Sequence, residues 1–378
     1  MTFNLVYKVI FQRFTIPRLS ILFACNDFAI VCGNNSGGKL YEALHMKSRT
    51  TLKKISANLN LSISTVSRAL KNHPDISEDT KKKVKDLAAL LEYEPNTYAI
   101  NLRTNSSRVI GLIVPAVSNL FYDFFISAAE HEAWDYGYSL MILQSGDSPA
   151  LEAENLKMCK ANRVAGVLIS ITPNSELENF RKLEEAGIPL IFFDKVPEGD
   201  HFNKVCHADE EAARIAALTI INYKKKNVLA VFGNPALSIT RKRLDAFREV
   251  FQKESPDTRL HIRHCNSLEE AEKSTSQFLN SGSPFDQLFA MSDETLAGSM
   301  KSLYSANVRI PSDVSVLAIS NGFLPTLLNP PITFIETSGF ELGKLAIKRM
   351  MDYLDGQTFT RSITLPCRFM EGKSMALS

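Results

Sequence analysis

Apolar side chains recur along this chain with two different rhythms. Between Thr51 and Leu91 they fall at helical spacing: Leu52, Ile55, Ser56 and Leu59 form one small-to-apolar stripe, Val66, Ala69 and Leu70 a second, and Val84, Leu87, Ala88 and Leu91 a third. Thr51, Ser62 and Ser77 precede the three stretches, and each is suited to accept hydrogen bonds from the first free N–H groups of a helix. Glu78 and Asp79 add negative charge where the third helix dipole favours it. Only a few residues join the first two stretches, so the pattern predicts a helix-turn-helix bundle. Its second helix leaves Ser64, Thr65, Ser67, Arg68 and Lys71 off the apolar stripe and facing outward. Beyond the turn Tyr93-Glu94-Pro95-Asn96, the segment from Thr97 to Arg103 sets Tyr98, Ala99 and Leu102 at helical spacing, although so short a helix is marginal in water.

From Ser107 onward the rhythm changes. Short continuous apolar runs (109–114, 138–143, 164–169, 190–193, 228–232, 287–290 and 314–319) alternate with helical stretches such as 121–136 and 150–161. Such strands imply parallel sheets covered on both faces, and the length of the alternation predicts two doubly wound lobes. Ligands of such sheets bind in the crevice beyond the carboxyl ends of the strands. That rule selects residues 117–124, 144–147, Asp194-Lys195, 233–243, Ser292-Asp293 and 320–323.

Composition adds a constraint on partners. With 378 residues, 45% of them hydrophobic, the chain has room for two or three full-sized cores, and a net charge of +2 excludes a polycation that coats nucleic acid. The basic charge is local: from Thr51 to Arg108 ten basic side chains face six acidic ones. An outward polar helix face in a locally basic helix-turn-helix fits the major groove of DNA, where the N-terminal residues of the second helix meet base edges. The run Lys81-Lys82-Lys83 suits phosphate contact or a solvated helix face equally well.

The residues Thr51-Leu52-Lys53-Lys54-Ile55-Ser56, Leu61 to Leu70 with Asn72, Ile76-Ser77, Thr80, Lys83-Val84, Leu90, Tyr93, Pro95-Asn96, Ala99 and Leu102 resemble the head of the LacI/GalR family of bacterial repressors. The resemblance covers about residues 50 to 374 and its motif string is specific. It implies an α/β protein: an all-α helix-turn-helix head (50–95), a hinge helix and linker (96–107), and a two-lobed, periplasmic-binding-protein-like domain of doubly wound parallel sheets (108–378) for effector binding and dimerisation. Thr51, Leu52, Ser62, Ile63, Ser64, Thr65, Ser67, Arg68 and Asn72 then belong to the DNA-binding face. Ile63 suits a thymine methyl and Arg68 a guanine. Asn96, Tyr98, Ala99 and Leu102 belong to the hinge, with Leu102 as a minor-groove wedge or, alternatively, plain linker packing.

In the cleft the resemblance implies Phe121 and Tyr122 as faces for a sugar or nucleobase and Gln144, Asp194, Arg243, Asp293, Ser320 and Asn321 as polar groups. Arg243 matches the family's cleft arginine through Leu244 and Phe247, against a solvated role like that of Arg241; for Asp194 and Asp293 an N-cap or a lobe-bridging role competes. Two departures stand out: the family commonly has an acid where Ser320 precedes Asn321-Gly322, and another where Ala208 precedes Asp209. The ligand therefore does not transfer from well-known relatives.

The partners expected are double-stranded operator DNA, a sugar-like effector and a second copy of the chain, in the cytoplasm, with no cofactor and no membrane. Cys25, Cys32, Cys159, Cys206, Cys265 and Cys367 are scattered and frame neither disulfides nor a zinc site, and the seven histidines suit ordinary core or surface roles. No nucleophile elbow, Walker motif or metalloprotease motif suggests an enzyme. A transporter's solute-binding protein explains two lobes but predicts a secretion signal and no head. Residues 1–49 fall outside the family pattern, and 1–45 read as a misassigned start, poorly ordered, since Asp27 interrupts the apolar stretch Leu19 to Cys32. No heptad tail is visible from Leu365 to Ser378, so a dimer rather than a tetramer is expected.

Overall fold

The computed structural model describes residues 51–93, 107–199, 201–357 and 361–377. The N-terminal segment before Thr51 and the hinge residues Asn96, Tyr98, Ala99 and Leu102 lie outside the described residues. Chain contacts cluster into two compact units that divide between Pro95 and Asn96.

The first unit contains α1 (Leu52–Leu59), α2 (Ile63–Leu70) and α3 (Glu78–Leu90). Ile55, Val66, Ala69 and Val84 are fully buried between them, as the three stripes require. The hydroxyls of Thr51, Ser62 and Ser77 accept from the backbone N–H of Lys54, Thr65 and Thr80, which stops the three helices from fraying at their starts. Asn60, in the left-handed region with φ +53°, makes the tight exit from α1. Leu52, on its apolar stripe, is half-buried and packs against this core. The lysine run divides: Lys81 is buried and paired with Glu78 at 2.7 Å, whereas Lys82 and Lys83 are exposed, Lys83 in a solvent-facing pair with Asp79 at 2.7 Å.

The second unit has two lobes. In the first, β1 (Val109–Val114), β2 (Ser139–Gln144), β3 (Gly166–Ile169), β4 (Leu190–Phe193) and β5 (Lys204–His207) join β11 (Ser362–Leu365) in an all-parallel sheet of order β11-β5-β4-β3-β1-β2. Helices α4 (Leu120–Asp135) and α12 (Gly339–Leu354) cover one face through Tyr122, Phe125, Leu342 and Ile347; α5 (Pro149–Ala161) and α6 (Leu177–Glu185) cover the other through Leu156 and Phe180.

In the second lobe, β6 (Asn227–Phe232), β7 (Arg259–His264), β8 (Gln287–Ala290), β9 (Ser315–Ser320), β10 (Thr333–Glu336) and β12 (Arg368–Met370) form a sheet of order β12-β10-β9-β8-β6-β7. All its pairs are parallel except β10 with β12. Helices α7 (Asp209–Asn222) and α8 (Ser238–Glu254) cover one face, α9 (Leu268–Asn280) and α10 (Asp293–Ser305) the other, and the short α11 (Phe323–Leu327) follows β9. The chain passes between lobes three times, after β5, β10 and β11. Both sheets therefore aim the carboxyl ends of their strands at one shared cleft.

The strands β5, β7, β10, β11 and β12 were not among the runs expected. Lys204-Val205-Cys206-His207 has polar residues at both ends and Arg259 to His264 has them at alternate positions, so no continuous apolar run marks them. At the α4/α12 contact a side chain at Gly343 would stand 2.5 Å from the Phe125 carbonyl oxygen, which is backbone and has little freedom to withdraw. Gly343→Ala is expected to cost about 1–3 kcal/mol by overpacking. Urea denaturation checks this, and an unchanged midpoint would show that the helices separate without strain.

Candidate functional site

The outward face of α2 is built on its own cap. Ser62 Oγ lies 2.7 Å from Ser64 Oγ and 2.8 Å from Thr65 Oγ1, so three hydroxyls are knitted together at the helix start. Ile63, 48% exposed, stands beside them, an apolar contact surface with no partner in the unit's core. Arg68 is exposed one helical turn further on, 3.9 Å from Asp75, which itself lies 3.3 Å from His73 Nδ1; a pair this exposed leaves the guanidinium available. Ser67 and Thr65 are half-buried. Two residues assigned to this surface have structural work: Thr51 caps α1, and Asn72 Oδ1 accepts from Lys85 Nζ at 2.5 Å.

A buried ion pair, Arg243 with Asp209, sits in the cleft of the second unit. Arg243 is 5% exposed; its Nε and one terminal nitrogen donate to Asp209 Oδ1 at 2.9 and 2.6 Å, and the other to the Met291 carbonyl at 2.7 Å. The solvated role falls to Arg241, which pairs with Glu198. Burial raises the Asp209 carboxyl above its usual range against the lowering effect of Arg243. Asp194 ends β4 with φ +55° and accepts from the Tyr122 hydroxyl at 2.6 Å; burial lifts this carboxyl too, while that hydrogen bond opposes the rise.

Asp293 is pushed up to about 6 by burial, opposed by a hydrogen bond from Ser320 Oγ to Oδ1 and one of 3.0 Å from the Asn321 N–H to Oδ2. It is not a cap, since Ser292 takes that role for α10, and Ser320 stands where the family commonly has an acid, donating to Asp293 instead. His207, at the end of β5, is 5% exposed, and neither ring nitrogen has a well-formed hydrogen bond. Burial and the nearby Arg243 charge lower its pKa to about 3, against the raising effect of the Ser338 backbone, so the ring is uncharged.

Phe121 presents its ring at the cleft, edge-on to His207 at 6.2 Å. Tyr122 does not supply a second stacking face: its ring is 2% exposed in the lobe core, and only its hydroxyl reaches polar company, Asp194 and Ser170. Gln144 Oε1 accepts from the Val117 N–H at 3.0 Å, fixing the loop before α4 rather than entering the polar cluster. Asn321 joins the lobes, donating to the Leu120 carbonyl at 3.5 Å and accepting from the Gly339 N–H at 2.8 Å. Asn119 to Glu294, Ser238 Oγ to the Val196 carbonyl at 2.7 Å, and the Phe124–Phe323 ring contact at 5.9 Å also cross the cleft. The lobes are thus held by groups that a ligand between them would disturb.

His207, Asp209, Asn119 and Glu294 escaped the sequence reading. A strand reading of 204–207 would have placed His207 and Asp209 at a carboxyl end, where the crevice rule looks; Asn119 lay inside the segment 117–124 that the rule selects without being singled out, and Glu294 directly follows the selected Ser292-Asp293.

The description periplasmic binding proteins and sugar binding domain of LacI family matches residues 107–373, and bacterial regulatory proteins, lacI family, matches 51–96. The chain belongs to the LacI family of bacterial regulatory proteins. Similar curated proteins include the ribose operon repressor of Bacillus subtilis (strain 168), 26% identical over 86% of this chain and 98% of that protein. The HTH-type transcriptional repressor PurR of Vibrio atlanticus (strain LGP32) is 24% identical over 80% of this chain and 91% of its own length. Among solved structures, the lac repressor dimer bound to operator and the anti-inducer ONPF superposes with a TM-score of 0.79 at 21% identity, covering 87% of this chain and 100% of that one. This LacI-family chain is a DNA-binding transcriptional regulator with an effector domain, and not an enzyme. Among the described residues no helix is long and apolar enough to cross a membrane.

Proposed function

We propose that this regulator is a cytoplasmic repressor that binds a near-palindromic operator as a homodimer and is released or recruited by a small carbohydrate in its interlobe cleft. The observation that carries the reading is the cleft itself: buried polar groups from both lobes meet there, and hydrogen bonds spanning it couple what occupies the cleft to the angle between lobes. Relatives named ribose operon repressor, and a LacI-family regulator from Enterococcus faecium solved with bound ribose, support a sugar-like effector. A dimer fits a palindrome because each two-fold copy presents the same helix to its half-site.

On the head, Ser62, Ile63, Ser64, Thr65, Ser67 and Arg68 form the reading surface in this proposal, with Thr51 and Asn72 at its edge. Arg68→Ala is expected to weaken binding to the preferred DNA sequence by about 1–3 kcal/mol, with a smaller loss on random DNA. Fluorescence anisotropy titrations on the two DNAs measure it. Equal losses would assign Arg68 to the phosphates.

A further inference from the structure

The cleft holds more acid than base. Asp194, Asp209 and Asp293 are each close enough to Arg243 to feel its charge, and Glu294 adds a fourth carboxylate that disfavours ionisation of both Asp194 and Asp293. Of the other cations near these carboxyls, Lys195 is engaged by Asp147 at 3.1 Å and Lys242, which lowers Asp209, is exposed to solvent. Among the described residues no group of three His, Cys, Asp or Glu could hold a metal ion, so a bound cation of that kind does not account for the excess.

Two kinds of free hydrogen-bonding capacity are left. Each carboxylate oxygen that accepts one bond keeps a further lone pair. His207 has both ring nitrogens buried without a well-formed partner, which is costly unless something satisfies them when the lobes admit a ligand. A hydroxyl group both donates and accepts, as the uncharged imidazole does. A phosphate or carboxylate can only accept from the few donors present and brings its charge against several carboxylates.

We propose that the cleft selects an uncharged, hydroxyl-rich ligand against its own phosphorylated or carboxylated forms, and that His207 is a specificity-determining residue that hydrogen-bonds a ligand hydroxyl. This rests on the reading of the cleft as the effector site. Asp194, Asp209 and Asp293 take ligand hydroxyls as donors, Arg243 supplies the donor that fixes orientation, and Phe121 contributes the apolar face.

The test is isothermal titration calorimetry on the full chain with four sets of probes: neutral aldoses and disaccharides, the corresponding sugar phosphates, the corresponding uronates, and amino sugars. At least one neutral sugar is expected to bind, with its phosphate or uronate weaker by at least about 100-fold from like-charge juxtaposition. His207→Phe keeps an aromatic ring and removes both nitrogens; it is expected to weaken the neutral sugar by about tenfold, the worth of one good hydrogen bond. Its melting temperature is expected to stay level or rise, because buried nitrogens without a well-formed hydrogen bond are gone, whereas a merely structural His207, held by the Ser338 backbone, would lower it and leave affinity untouched. An anionic derivative or an amino sugar that binds more tightly than the neutral parent overturns the charge selection while leaving the effector reading in place. If no probe of any set binds a folded, DNA-competent protein, the effector reading fails, and this inference with it.

Discussion

Arg243→Ala is expected to lower the stability of the ligand domain by about 3–5 kcal/mol, the usual consequence of removing one partner from a buried ion pair. The reason is local. Two nitrogens of Arg243 hold Asp209 Oδ1, and a third holds the Met291 carbonyl, in a region sealed from water. Alanine leaves the Asp209 carboxylate with no described partner, an orphaned carbonyl on Met291, and a void in the α7/α8 layer. Removing both charges together, as in Arg243→Met with Asp209→Leu, is expected to restore much of the loss, because a packed apolar pair of similar volume is often as stable as the ion pair. The double variant still lacks the guanidinium and is expected to lose the effector response. Urea denaturation of wild type, single and double variants measures the cycle. A loss below about 1 kcal/mol in Arg243→Ala would mean that water reaches Asp209 and that the pair behaves as an exposed one.

Asp293 gives the second large effect, through pH. In the folded cleft its carboxyl titrates at about 6, against 3.8 for an unperturbed aspartate. The folded state therefore holds a proton that the unfolded chain releases between about pH 4 and 6. Stability from this group is greatest at the acid end of that window and is lost as pH rises through it, by about 3 kcal/mol for a shift of about two units. Above pH 6 the whole penalty of a buried carboxylate remains. In Asp293→Asn this slope is expected to vanish, so the difference between the two stability–pH curves isolates the group; parallel curves would show that Asp293 ionises as it does in water. A hydroxyl-rich ligand bound to the carboxylate favours its ionised form, so ligand affinity is expected to climb from pH 5 to 7, with proton release on binding.

The fold was legible wherever burial on both faces wrote itself as an unbroken apolar run. Val109 to Val114 and Leu190 to Phe193 are such runs, and both are central strands. The edge strand Arg259 to His264 and the crossover strand Lys204 to His207 were not legible, since polar residues break their apolar runs, whereas the edge strand Ser139 to Gln144 keeps an apolar run and was read. In the cleft, knowing that ligands gather at carboxyl ends of strands pointed to Asp194, Asp293 and Ser320, which the structure brings into one neighbourhood with Arg243. Side-chain direction was beyond that rule. Phe121 and Tyr122 are neighbours on one helix start and about 100° apart around its axis, enough to send one ring to the cleft and the other into the core. Sequence spacing likewise gave no sign that Asn321 would serve as a strut between lobes.

The claim that this chain reads DNA through α2 as a symmetric pair is tested most directly by selecting bound sequences from a random double-stranded pool with the full-length protein at physiological salt. The expected result is enrichment of a near-palindrome whose two half-sites change together when Ile63 or Ser64 is replaced. Recovery of sequences no different from the starting pool, or of a single asymmetric site untouched by those replacements, would contradict it.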